Sequence, residues 1–140
     1  MQNQLSSSSD KPILIVDDDK GVRELLQIVV EKEGFKVAMA EDGAEALEKA
    51  RALAPHLILL DLMLPKSGGF EVVHELQGEE TGNIPIVIMT GRFMDQSTAE
   101  MIKRESNVKE YLEKPLKTAA LAALLHRLLN TRTPVRKIGP

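Results

Sequence analysis

Along the chain, short unbroken apolar runs alternate with stretches in which apolar residues recur at helical spacing. Ile13-Leu14-Ile15-Val16, Leu57-Ile58-Leu59-Leu60 and Ile86-Val87-Ile88-Met89 are runs of the first kind. Runs so short suit strands covered on both faces. Val22, Leu25, Leu26 and Val29 recur at intervals of three and four, which predicts a helix after the first run, with Gly34 just past its end. Phe35, Val37 and Met39 alternate with Lys36 and Ala38, the pattern of a less buried strand. Ala46, Leu47, Ala50 and Leu53 mark a second helix, closed before Pro55. A third helix is expected from about Phe70 to Leu76 and a weakly patterned fourth from about Ser97 to Arg104. Tyr111 and Leu112 fall in a short fifth strand, and Leu121, Leu124, Leu125 and Leu128 line the last helix.

Five strands alternating with five helices predict a parallel sheet with helices on both faces. The first, third and fourth strands are continuously apolar and belong inside. The second and fifth are more polar and belong at the edges. This agrees with the flavodoxin-like, doubly wound α/β order 2-1-3-4-5. Sheets of that kind take ligands beyond the carboxyl ends of their strands, here between strands one and three. Residues 11–130 read as one domain, residues 1–10 with their serine run as a flexible N-terminal tail, and residues 131–140 as a C-terminal tail.

Composition narrows the function classes. The net charge is −3, which removes the electrostatic case for direct nucleic-acid binding by this domain. There is no cysteine, which excludes disulfides and thiolate sites and fits a cytoplasmic location. The polar N-terminus has no signal-type apolar stretch, and no apolar run is long enough for a bilayer, so no membrane role is expected. His56, His74 and His126 are scattered without metal-ligand spacing and read as structural. The leucine stripe from Leu121 to Leu129 is better read as sheet packing than as a dimer seam.

The chemistry concentrates at predicted strand ends. Asp17, Asp18 and Asp19 follow strand one, and Asp61 follows strand three. Asp19 suits the N-cap of the next helix. If strands one and three are neighbours, the other carboxylates converge. Each like-charged pair at ~4 Å costs about 4 kcal/mol at an effective dielectric near 20. A hard divalent cation such as Mg²⁺, which takes one or two carboxylates plus water and phosphate oxygens, resolves that repulsion. Thr90 follows strand four with a hydroxyl, and Lys114 follows strand five with an ammonium, fixed by Pro115. Acids, hydroxyl and ammonium together suit transfer of a phosphoryl group to a carboxylate.

The segments Ile13-Leu14-Ile15-Val16-Asp17-Asp18-Asp19, Leu59-Leu60-Asp61-Leu62-Met63-Leu64-Pro65, Ile88-Met89-Thr90-Gly91 and Tyr111-Leu112-Glu113-Lys114-Pro115 jointly resemble the receiver domain of two-component response regulators, of the chemotaxis-regulator type. The resemblance spans about residues 11–130 and carries the strand order given above. It implies Asp61 as phosphoacceptor. It implies Mg²⁺ held by the side chains of Asp18 and Asp61 and the backbone carbonyl of Met63, with Asp17 acting through a metal-bound water. Lys114 would contact the phosphoryl group, Thr90 would turn toward it, and Tyr111 would move inward. Met63 and Arg92 match positions that tune dephosphorylation. The implied donor is a sensor histidine kinase or histidine phosphotransfer protein. The implied output is an unidentified downstream protein reached through the helix 4–strand 5–helix 5 face, as a monomer or a phosphorylation-dependent dimer. On this reading the protein is a cytoplasmic switch that catalyses only its own phosphorylation and dephosphorylation.

Some positions depart from the family pattern. Thr90 and Lys114 stand 24 positions apart, about two more than usual, with the insertion near helix four. Asn107-Val108 replace a usual Gly-Ala, Gly68 a frequent Asp, and His56 another. Three rival readings follow: a pseudo-receiver that binds without phosphorylation, a receiver cut from a larger DNA-binding regulator, and an Asp-nucleophile phosphatase. The intact acidic set argues against the first. The ten residues after helix five hold no output domain. A phosphatase of that kind commonly carries a second Asp where this chain has Met63.

Overall fold

The computed structural model describes residues 5–64, 68–91 and 96–134. Its strands are β1 (Ile13–Val16), β2 (Val37–Ala40), β3 (Leu57–Asp61), β4 (Ile86–Thr90) and β5 (Val108–Glu113). Its helices are α1 (Lys20–Lys32), α2 (Gly43–Leu53), α3 (Gly68–Glu75), α4 (Gln96–Lys103) and α5 (Thr118–Leu129). All strand pairs are parallel, in the order β2-β1-β3-β4-β5.

Side chains alternate between the faces of a strand, so each apolar run feeds two cores. Leu14, Val16, Ile58, Leu60, Ile86 and Ile88 pack under α2, α3 and α4, against Ala46, Ala50, Val72, Leu76 and Ile102. Ile13, Ile15, Leu57, Leu59, Val87 and Met89 pack under α1 and α5, against Leu26, Val30, Leu121 and Leu125. The expected edge strands are the half-exposed ones, β5 throughout and β2 up to Ala40.

Two local readings shift. Phe35 was expected in the second strand, but that strand starts at Val37. Gly34 takes a positive φ of 95°, and the Phe35 amide still bonds to Val30 O at 3.4 Å, so Phe35 closes the helix end and buries its ring. The serine-rich segment expected to be a free tail is docked over residues 5–10. Ser6 bridges Thr131 in parallel, Ser8–Asp10 form a 3₁₀ turn, and the buried Ser8 hydroxyl donates to Glu33 O at 2.8 Å. Among the described residues no helix is long and apolar enough to cross a membrane.

Candidate functional site

The sheet delivers its loops to one end in register. Val16 pairs with Leu60, so Asp17 and Asp61 leave neighbouring strands at the same level. The ladder continues one residue past each: Asp17 N donates to Ala40 O at 3.1 Å, and Leu62 N to Met89 O at 3.0 Å. Both acids therefore stand on anchored backbone. Carboxylate oxygens of Asp17, Asp18 and Asp61 lie within 4.8 Å of one another, with Asp17 and Asp61 buried and Asp18 exposed.

Lys114 supplies the offsetting charge. Its Nζ lies 2.6 Å from Asp17 Oδ2 and 3.3 Å from Asp61 Oδ2. The other oxygen of each acid accepts a backbone amide at 2.9 Å: Asp19 N to Asp17 Oδ1, and Met63 N to Asp61 Oδ1. Lys114 is itself tied to β4, because its amide donates to Thr90 O at 2.8 Å. Thr90, at the end of β4, is buried. The peptide bond from Lys114 to Pro115 is cis.

Burial raises the Asp61 carboxyl above its ordinary 3.8; the Met63 amide opposes this, the charge of Asp17 adds to it, and Lys114 opposes it again. For Lys114, burial pulls downward, but the hydrogen bond and charge of Asp17, followed by those of Asp61, leave it raised above 10.5. The ammonium thus stays charged throughout the neutral range.

The donor set is all oxygen, which suits a hard cation such as Mg²⁺ rather than a thiophilic or imidazole-seeking metal. Asp17, Asp18, Asp61 and Lys114 come together as expected. Met63 reaches the cluster by its backbone amide, while its side chain is exposed. Tyr111 lies on β5 opposite Ile88, half-buried, with Lys103 Nζ 5.3 Å from its ring centre. Burial and the charge of Glu113 raise its phenol pKa. Arg92 lies outside the described residues.

Two residues that sequence reasoning passed over belong to this end of the sheet. Gly69, the second residue of α3, lies directly against the loop after β3; its amide donates to Leu62 O at 3.0 Å, and an added Cβ would meet the Leu62 backbone and come within 2.8 Å of Asp61 O. A glycine pair at a helix start was the available signal. Arg23, on α1, donates through Nη1 to Asp17 O at 2.8 Å. Nothing in the spacing of α1 marks it.

Comparison with known proteins gives a consistent picture. A family profile described as the response regulator receiver domain matches residues 13–126. The DNA-binding response regulator MtrA of Mycobacterium tuberculosis is 40% identical over 111 residues, which cover 79% of this chain and 47% of that protein. The chain spans about half the length of the curated relatives it matches. Among solved structures, the chemotaxis protein CheY4 of Vibrio cholerae superposes with a TM-score of 0.77 at 28% identity, covering 85% of this chain and 98% of that one. The receiver domain of the sensor histidine kinase PA1611 from Pseudomonas aeruginosa, solved with a magnesium ion coordinated in its active site cleft, gives 0.76 at 26% identity, covering 86% and 98%.

Proposed function

The chain belongs to the response regulator receiver family, and from that premise we propose that it is switched by a phosphoryl group carried on Asp61. The observation that supports this most is the shared Lys114 bridge, 2.6 Å from Asp17 and 3.3 Å from Asp61, at the carboxyl ends of β1 and β3. A buried acid pair held by one shared ammonium is charged, oxygen-rich and able to exchange partners.

On this reading a phosphohistidine of a sensor kinase or phosphotransfer protein presents its phosphorus to an Asp61 oxygen. The carboxylate attacks in line, the P–N bond breaks, and the imidazole leaves with the bond's electron pair. Water later cleaves the acyl phosphate, releasing inorganic phosphate and restoring Asp61. Asp18, Asp61 and the Met63 carbonyl would hold Mg²⁺, with Asp17 acting through a bound water. The ion, when bound, neutralises charge on the phosphoryl oxygens. Lys114 leaves Asp17 for the new phosphoryl group, which adds roughly −1.5 to −2 charge. Thr90 turns its hydroxyl to the same group and draws its loop inward; Tyr111 follows, and the face of α4, β5 and α5 repacks to meet a downstream protein. Met63 and Arg92, which match the family's dephosphorylation-tuning positions, would set water access and so the phosphoryl lifetime. The domain works in the cytoplasm and leaves nucleic-acid binding to others.

A second reading places the domain inside a larger DNA-binding regulator, and the half-length match to MtrA favours it. Both readings share the same chemistry. Incubation with Mg²⁺ and acetyl phosphate, followed by intact mass measurement, tests that chemistry. A single phosphoryl adduct, lost in Asp61→Asn or when EDTA is present, is the expected result. No adduct in the wild-type protein points to a binding module that works without phosphorylation.

A further inference from the structure

Arg23 sits in an unfavourable place for a cation. It is the fourth residue of α1, whose first turn carries the positive end of the helix macrodipole. Its side chain is only 14% exposed, so solvent does not account for it. Among the described residues its one side-chain hydrogen bond is to backbone: Nη1 to Asp17 O at 2.8 Å. The 3.6 Å pair from Nη2 to Glu41, whose side chain is 66% exposed, is worth little.

The Asp17 carbonyl belongs to the peptide unit that leads into Asp18. Asp17 is held at its amide by Ala40 O, at its carboxylate by Lys114 and the Asp19 amide, and at its carbonyl by Arg23. Asp18 differs. Its carboxylate is exposed and has no hydrogen-bond partner among the described residues, yet it lies within 4.8 Å of the other two. Only its backbone keeps it there, and the peptide that sets its direction is the one Arg23 grips.

We propose that Arg23 is the positioning residue of the cation site: by clamping the Asp17 carbonyl it aims the Asp18 carboxylate at Asp61. The proposal rests on the Mg²⁺ reading above. It is distinct from a charge effect, and the two have opposite signs. An arginine acting only by its charge would compete with a divalent cation, so removing it would tighten binding. An arginine acting by geometry would, on removal, let Asp18 swing away and weaken binding.

Titration with Mg²⁺ alone, followed by amide NMR shifts of residues 17–19 and 61–63, separates these. Arg23→Gln should weaken Mg²⁺ binding about tenfold, as the loss of groups that orient metal ligands commonly does. Arg23→Lys keeps the charge and a single donor, and should recover part of the loss. Acetyl phosphate labelling should show the same split: a higher half-saturating Mg²⁺ concentration, with the rate at saturating Mg²⁺ close to wild type. Arg23→Gln binding Mg²⁺ as tightly as wild type, or more tightly, overturns the proposal. If Arg23→Gln fails to fold, Arg23→Lys decides alone, and wild-type affinity in it counts against the proposal, because the shorter, flexible lysine stem does not hold its donor in place as the planar guanidinium does. A wild-type spectrum that ignores Mg²⁺ would instead defeat the metal reading itself.

Discussion

At the scale of single residues, the site is a balance between two buried acids and one ammonium. Asp61 has its carboxyl raised, chiefly by burial. A carboxyl raised by folding binds its proton more tightly in the native state than in the unfolded one. Stability therefore falls as pH rises through the interval above 3.8, and the loss is complete once native Asp61 is ionised. Asp61→Asn removes that slope. In metal-free buffer near pH 7 it should raise the melting temperature, by roughly 3 °C for each kcal/mol relieved of the cost of holding a buried charge; calorimetry from pH 4 to 8 checks both points, and a variant with the wild-type slope contradicts them. Lys114 behaves in the opposite sense. Its pKa is raised, so its contribution is complete below 10.5 and is lost only as pH climbs through the still higher native value. Lys114→Met strands both acids and should cost about 1.5–3 kcal/mol in urea melts without metal. Millimolar Mg²⁺ should recover part of that loss, and no recovery would count against a shared cation site.

At the scale of elements, each loop is set by a local device. Asp19 caps α1 through Val22 N at 3.1 Å, so Asp19→Ala should cost about 1 kcal/mol and loosen the loop that bears Asp17 and Asp18. Gly69 seats α3 against the loop that follows Asp61, with no space for a methyl group. Gly69→Ala should cost about 1–3 kcal/mol by overpacking and slow phosphorylation of Asp61, read from acetyl phosphate kinetics. The contrast between these two shows what the sequence discloses. The Asp19 cap was legible, because a side chain that accepts from a helix amide must precede the helix. The interior strands were legible too, since only residues covered on both faces read as unbroken apolar runs. Gly69 was not legible, because its requirement is the lack of room for a Cβ, which would come within 2.8 Å of the Asp61 carbonyl oxygen, and that crowding arises only after α3 has docked. Arg23 is hidden for the same reason: its partner is a backbone carbonyl, which every residue has.

At the scale of the molecule, the sheet places the acidic cluster and Lys114 at its carboxyl edge and ties the two ends of the domain together at the other. Glu33, His126 and Thr131 form a buried chain, with His126 Nε2 2.9 Å from Glu33 Oε1 and Nδ1 2.7 Å from Thr131 Oγ1. Around it Ser6 N donates to Asn130 O at 3.0 Å, Arg132 N to Ser6 O at 3.2 Å, and Lys11 Nζ to Leu129 O at 2.7 Å. No spacing could show that His126 reaches Glu33, 93 positions away. His126→Ala should cost about 1–3 kcal/mol by orphaning its buried polar partners. Removing residues 1–10 should speed amide exchange at Thr131 and Arg132 while leaving β1 and β3 protected.

One measurement addresses the central claim, that loops from four strands meet in a single Mg²⁺-assisted phosphoryl crevice. It is a crystal structure of the protein soaked with Mg²⁺ and beryllofluoride, a stable mimic of a phosphoryl group. The expected result is beryllium bonded to an Asp61 oxygen, the cation touching Asp18 and Asp61, and Lys114 drawn off Asp17 onto fluoride. Unmodified Asp61 with Lys114 still bridging the two acids, in crystals saturated with both reagents, would contradict it.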